Sequence, residues 1–213
     1  MTTKTDNKMV YFLNGAMYIN VTNLCTNNCV FCLRNLSDTV DGSNLWLKEE
    51  NISSNQIIEE LKLNNYEKQK EIIFCGYGEP FIRVEIVKEV AKFIKRNYPE
   101  ISIRVNTNGQ ANLIHKRNIV PELVGLVDKV SVSLNAENAK LYGELTQCKF
   151  DCEQAFENVK KFIIECQKHG IHTTATIVTG FKDCNVNVEA CKQIAETLGV
   201  KFRIREWLEA GYS

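Results

Sequence analysis

Proline is scarce in this chain, at three in 213 residues. No Pro-, Gly- or Ser-rich stretch interrupts it, which leaves little room for an interdomain hinge. No internal repeat recurs, so a solenoid is excluded. Neither sign of charge is in excess, with Lys+Arg and Asp+Glu at 26 each and a pI near 6.8; a phosphate-binding footprint is therefore not visible at the level of the whole chain. No apolar run approaches the roughly 20 residues needed to span a bilayer. The stretch "MVYFLNGAMYINV" is broken by Asn14, Gly15 and Asn20, and no small-residue cleavage site follows it. It reads as a hairpin or paired strand rather than a signal peptide. These absences predict a single domain over residues 1–213, with residues 1–15 as an N-terminal strand or hairpin extension, located in the cytosol and away from membranes.

Cysteine, by contrast, is plentiful, with nine in the chain. An odd count at uneven spacings in a reducing compartment argues against a disulfide framework and for ligation of a metal or cluster. Three of the nine, Cys25, Cys29 and Cys32, fall in "NLCTNNCVFCLRN", spaced C-x3-C-x2-C, with no fourth close behind. They open a polar loop predicted over residues 23–52.

Elsewhere strand-like runs alternate with helix-like ones. Strands are expected at 16–22, 71–76, 101–108, 129–135, 171–178 and 200–205, and helices at 53–65, 82–97, 153–168 and 187–198. The first helix opens on a capping pair, Ser53 with Gln56. The second is expected to bury Ile82, Ile86, Val90 and Phe93. Phe156, Val159, Ile163 and Cys166 form a stripe on the third, and Val188, Cys191, Ala195 and Leu198 on the fourth. Such alternation predicts right-handed βαβ units and an α/β fold, a partial (β/α)6 barrel of the TIM type with parallel strands. In that fold chemistry collects at the C-terminal ends of the strands. The cysteine run follows the first strand, "GYGEP" (76–80) the second, "NTNG" (106–109) the third, and "SLNA" (133–136) closes the fourth.

Three thiolates leave several possibilities. With Cys75 as fourth ligand they would close a structural zinc site. A cubane cluster is normally held by four thiolates, so three leave one iron open for chemistry. Three inert thiols in a polar loop would be exposed to oxidation.

The C-x3-C-x2-C run with Phe31 before its last cysteine resembles the signature of the radical S-adenosylmethionine (SAM) enzymes, and Gly76-Tyr77-Gly78-Glu79-Pro80 resembles their GGEP element with Tyr77 in place of a glycine. "FCGYGEP", "NTNGQAN", "SVSLNA" and the closing "FRIREWLEAGY" are similar to the TatD-linked radical SAM proteins. The resemblance implies a [4Fe–4S] cluster on Cys25, Cys29 and Cys32, with the open iron chelated by the amino and carboxylate groups of SAM. One-electron reduction, by a donor such as a flavodoxin or ferredoxin, then yields methionine and a 5′-deoxyadenosyl radical that takes hydrogen from a substrate. It further implies Phe31 and Val178 near adenine, and Gly76, Tyr77 and Gly78 offering backbone groups to the ammonium, with Glu79 organising their turn. Asn106, Ser133 and Asn135 are then candidates for the carboxylate and ribose. Asn108 reads as turn chemistry and is left out.

Cys75 stands beside the glycine turn, as a hydrogen-atom donor or a small buried hydrophobe. Arg203 and Arg205 share a face of the last strand; Arg205 is a candidate anchor for an anionic substrate or the SAM carboxylate, or a member of an ordinary ion pair. Cys148, Cys152 and Cys184 nominate an auxiliary cluster, while Cys166 and Cys191 read as core. Tyr11, Trp46 and the three histidines form no constellation. The substrate is expected to be a small molecule or a glycyl-radical partner protein, with large RNA disfavoured by the neutral charge. The contrasting reading is a non-catalytic iron–sulfur electron-transfer protein or a structural zinc protein.

Overall fold

A computed structural model describes residues 8–40, 42–182, 184–208 and 211–212. Strands β1 (Val10–Leu13) and β2 (Ala16–Ile19) form an antiparallel hairpin. Asn14 and Gly15 turn it with φ of 50° and 76°, the conformation that a two-residue hairpin loop requires and that Asn-Gly adopts most readily. The cysteine loop follows and carries its own small hairpin, β3 (Thr39–Val40) with β4 (Ser43–Asn44).

Helix α1 (Ser54–Leu63) begins at the predicted capping box, in which the Ser53 side chain and the Gln56 side chain each bond the other's backbone N–H. Next come β5 (Glu71–Phe74), α2 (Val84–Asn97), β6 (Ser102–Thr107), α3 (Ala111–His115) and β7 (Lys129–Ser133). The chain continues through α4 (Ala139–Thr146), α5 (Cys152–Lys168), β8 (His172–Thr179), α6 (Val188–Thr197), β9 (Lys201–Leu208) and β10 (Gly211–Tyr212). The main sheet runs β1-β2-β5-β6-β7-β8-β9-β10. Neighbours from β2 to β9 pair in parallel, and β1 and β10 add an antiparallel strand at each edge. The six parallel strands are the six expected, and the sheet curls into a half-barrel within a single domain.

The apolar stripe of α2 lies one step round from its predicted place. Val84, Val87, Val90, Ala91 and Ile94 are buried, whereas Ile86 and Phe93 flank the stripe half-buried. Ile82 belongs to the preceding 3-10 turn, Pro80–Arg83, so it could not set the helical phase. On α5 the predicted Phe156, Val159, Ile163 and Cys166 are all buried. α3 and α4 were not expected, being too short for a clear period. Among the described residues, no helix is long and apolar enough to cross a membrane.

Candidate active site

Partners in neighbouring parallel strands share a face of the sheet. The register pairs Thr176 with Ser133 and Arg203, and Val178 with Arg205. These residues therefore stand on the concave side. At the C-terminal ends of the strands this side opens into a cavity of about 650 Å³. Cys25, Cys29, Cys32 and Phe31 line it from the cysteine loop, and Cys75, Gly76, Tyr77, Gly78 and Glu79 from the turn after β5. Asn106, Ser133, Asn135 and Arg205 also belong to the wall. Of the residues that the resemblance assigns to the cluster, SAM or substrate, Val178 alone is not part of this lining; it is buried in the core on the same face.

The cysteine loop is clamped at both ends. Glu50 accepts from Thr22 Oγ1 and Asn23 N, both at 2.8 Å. Asn23 exchanges two hydrogen bonds with the Leu47 backbone, at 2.7 and 3.0 Å. Arg34 donates to the carbonyls of Asn27, Asn23 and Tyr77 at 3.2, 3.5 and 3.5 Å, gathering the loop under one guanidinium. On the other side Asn28 N and Val30 N donate to the last carbonyls of α4, Thr146 and Leu145, at 2.9 Å. Such terminal carbonyls lack intrahelical partners, so the cysteine loop caps α4.

Gly76 and Gly78 are demanded by packing within the chain. A Cβ on Gly76 would overlap the Asn20 side chain; one on Gly78 would overlap the Thr22 carbonyl and lie 2.6 Å from that of Leu24. Their expected role, close approach to a ligand, is thus joined by a need to let the tail of β2 pass. Tyr77, in the glycine's place, turns its ring away. Its hydroxyl donates to Ser37 O at 2.6 Å and its ring meets Trp46 edge-on at 5.1 Å. Tyr77, Tyr11, Leu33, Val40 and Leu45 form a second small core beneath the loop. Tyr11 and Trp46 therefore have partners that sequence spacing did not reveal. Tyr11 also stacks on Tyr18 at 5.2 Å and donates to Cys75 O.

Glu79 is fully enclosed and accepts from Phe81 N, Thr107 Oγ1 and Asn108 N at 3.0, 2.8 and 2.6 Å. Burial pushes its carboxyl up to about 7, against the pull of those three donors. Asn108 combines the expected turn with a second task. Its Oδ1 accepts from Gln110 N, and its Nδ2 donates to Thr26 Oγ1 at 2.8 Å. Gln110, which no sequence signal marked, bonds Thr26 Oγ1, Asn27 Oδ1 and Tyr142 Oη. It fastens the cysteine loop to α4 from below.

No disulfide links the nine cysteines, all within the described residues. Burial raises the Cys25 thiol to about 11 and raises Cys29 and Cys32 also, with Arg34 pulling all three back down. Two amide oxygens in the cavity wall, Asn106 Oδ1 and Asn135 Oδ1, are buried without a hydrogen-bond partner. A buried acceptor in that condition costs about 1–3 kcal/mol. Asn135 also holds a left-handed φ of 60°, a further cost of roughly 1 kcal/mol. Unmet polar atoms and backbone strain concentrated in one cavity suit a ligand that supplies donors there. Cys148 and Cys152 lie thiol to thiol at the start of α5. Among the described residues, however, no three Cys, His, Asp or Glu side chains converge on a single ion, there or at Cys25, Cys29 and Cys32. Cys166 and Cys191 are core, as expected.

Comparison with known proteins agrees with this arrangement. The Radical SAM superfamily model matches residues 19–194. The dual-specificity RNA methyltransferase RlmN of Campylobacter lari is 26% identical over 193 residues, 84% of this chain and 49% of that protein. The GTP 3′,8-cyclase of Paenarthrobacter nicotinovorans is 25% identical over 135 residues, 63% of this chain and 35% of that protein. The chain thus spans about half the length, or less, of these curated relatives. Among solved structures, native anSMEcpe with bound AdoMet shares the fold with a TM-score of 0.65 at 13% identity, covering 90% of this chain and 51% of that one. TYW1 with a lysine–pyruvate adduct bound gives 0.62 at 15% identity, covering 91% and 65%. With the family matched over most of its length, the chain belongs to the radical SAM superfamily, whose members are enzymes that use a [4Fe–4S] cluster and SAM.

Proposed function

We propose that Cys25, Cys29 and Cys32 hold a [4Fe–4S] cluster, and that the enzyme abstracts hydrogen from a small-molecule or protein substrate lying over the concave face. The observation that carries this reading is the meeting, in one cavity, of three thiols with the unpartnered oxygens of Asn106 and Asn135. When bound, the reduced cluster and SAM supply a 5′-deoxyadenosyl radical. The chain's part is binding and exclusion of water. Asn106 and Asn135 would accept hydrogen bonds from the ammonium or ribose of SAM, and Ser133 and Arg205, 3.4 Å apart, would take its carboxylate. Phe31 and, less directly, Val178 supply apolar wall for adenine; Gly76, Tyr77 and Gly78 offer backbone; Glu79 holds their turn. Cys75 is the nearest candidate for a substrate-side group, lining the cavity next to Asn106.

The motifs "FCGYGEP", "NTNGQAN" and "SVSLNA" favour the TatD-linked branch of the superfamily. RlmN, as its name states, acts on RNA, so RNA stands beside small molecules and proteins as a substrate class to be tested. A single-zinc reading needs a fourth protein ligand, and Cys75, the candidate named from sequence, lines the same cavity.

The test is anaerobic reconstitution with iron and sulfide, then reduction with SAM present. Iron and sulfide in equal amounts, a change in the cluster's spectrum on adding SAM, and formation of 5′-deoxyadenosine are expected, all lost in Cys29→Ala. Stoichiometric zinc with no bound sulfide would overturn the proposal.

A further inference from the structure

The concave face carries a second feature at the opposite end of the strands. A cavity of about 620 Å³ opens there, among the starts of β6, β7, β8 and β9. Arg104, Lys129, Lys201 and Arg203 line it, and Glu71 is the sole carboxylate among its lining residues. The sequence builds this cluster by simple alternation: on β9, Lys201, Arg203 and Arg205 fall at every second position and share the concave face.

Glu71 is already engaged. It pairs with Arg104 at 3.1 Å and with Lys129 at 2.9 Å. Among the described residues no carboxylate lies within ion-pair distance of Lys201 or Arg203. Burial and the neighbouring guanidinium groups of Arg205 and Arg104 hold Arg203 below the usual arginine range. Like charges gathered on a half-open wall, with one shared counter-charge, repel one another, and an anion placed among them would relieve that repulsion. Arg104 and Arg203 also line the cysteine cavity, so the two cavities share a wall along the lumen.

We propose that this floor is a phosphate-binding subsite, and that the substrate is a small phosphate ester whose anionic group sits among Arg104, Lys129, Lys201 and Arg203. Cations converging from three strands suit a tetrahedral dianion with three free oxygens. A planar carboxylate would be satisfied by one guanidinium fork. Ser131 and Thr174 add hydroxyls to the same wall. The cations line the lumen and the chain's overall charge is balanced, which favours a small ligand over a nucleic-acid backbone. That the other end of the ester faces the cysteines rests on the radical reading above; the subsite itself does not.

Calorimetric titration of the full chain with inorganic phosphate and with pyrophosphate, at fixed ionic strength and without SAM, tests the subsite alone. Saturable one-to-one binding is expected, weakened about tenfold or more in Arg203→Gln and in Lys201→Gln. Arg203→Lys should recover part of the loss, while Lys192→Gln on α6, outside the cavity, should change nothing. Melting without phosphate should not fall in Arg203→Gln, which separates lost binding from lost folding. Absence of saturable binding, or equal binding in the variants, overturns the subsite. A short RNA that binds more tightly than pyrophosphate and depends on the same residues overturns the small-molecule assignment. Because no SAM is present, failure here leaves the cluster reading standing, and the converse holds.

Discussion

The Glu79 carboxylate accepts the backbone N–H of Asn108 at 2.6 Å, joining the turn after β5 to the end of β6. Its other oxygen takes Thr107 Oγ1 and Phe81 N. Asn108 in turn reaches Thr26, next to Cys25. One enclosed carboxyl thus fixes two loops and, through them, the first cysteine. Any function given to the cavity depends on this join.

Burial raises Glu79 from 4.5 to about 7, so between those values the folded chain holds a proton that the unfolded chain has released. Stability from this group is therefore full below pH 4.5 and falls as pH rises towards 7, by roughly 3 kcal/mol in all. Urea melts of metal-free protein at pH 5 and pH 8 should show the loss. In Glu79→Gln the difference should shrink, while the variant as a whole is about 1–2 kcal/mol less stable, since its amide nitrogen cannot accept from a backbone N–H. An unchanged pH dependence in the variant would assign the slope to other groups.

Gly78 separates packing from conformation. A Cβ there meets the carbonyls of Thr22 and Leu24, both backbone. Neither can swing aside, so Gly78→Ala should cost more than about 2 kcal/mol and lower the iron retained after reconstitution. Gly125→Ala is the contrast. Nothing lies within 4 Å of its Cβ, though φ is +75°; a penalty near 1 kcal/mol and normal iron content are expected. Paired melts and iron assays check both.

These loops also show what a sequence can and cannot disclose. The six parallel strands were legible because each is a short apolar or alternating run bounded by turn residues, and α5 because its stripe recurs over 17 residues. α2 was misphased because Ile82, apolar and in step, belongs to a turn ahead of it. The cysteines and glycines of the site announced themselves by spacing. Gln110, Arg34 and Tyr11 did not, since their partners lie up to 84 residues away, as for Gln110 with Thr26. Of the basic floor only Arg203 was visible, as a neighbour of Arg205 on one strand face; Arg104 and Lys129 joined it only through strand register.

Asn106 sets function against stability. Its Oδ1 is buried and unbonded while its amide meets only the weak acceptor of the Cys75 thiol, so replacing it by an apolar group of similar size removes an unmet acceptor for the loss of one weak bond. Asn106→Leu should melt no lower than the parent without SAM. If Asn106 accepts from SAM, affinity for SAM in the reconstituted protein should fall at least about tenfold, one lost hydrogen bond to a charged group being worth about 1.5–3 kcal/mol. Calorimetry with SAM and a melting scan, run on the same preparation, give both numbers; lower stability with unchanged affinity would remove Asn106 from the SAM site.

Arg34 offers the sharpest test of how the cysteine loop is held. Its guanidinium spans the carbonyls of Asn23, Asn27 and Tyr77, which a planar fork can reach together and a single ammonium cannot. It also lowers the cost of ionising three thiols that burial otherwise raises, and ligation needs thiolates. The two tasks respond differently to substitution. Arg34→Lys keeps the charge and loses the fork; Arg34→Gln loses both. Cluster assembly followed by absorbance should therefore slow modestly in the lysine variant and several-fold more in the glutamine variant. Raising the assembly pH should recover part of the glutamine variant's rate, because the missing charge lowered the cost of ionising the thiols. If both variants slow equally and pH makes no difference, Arg34 acts only as a brace for the loop.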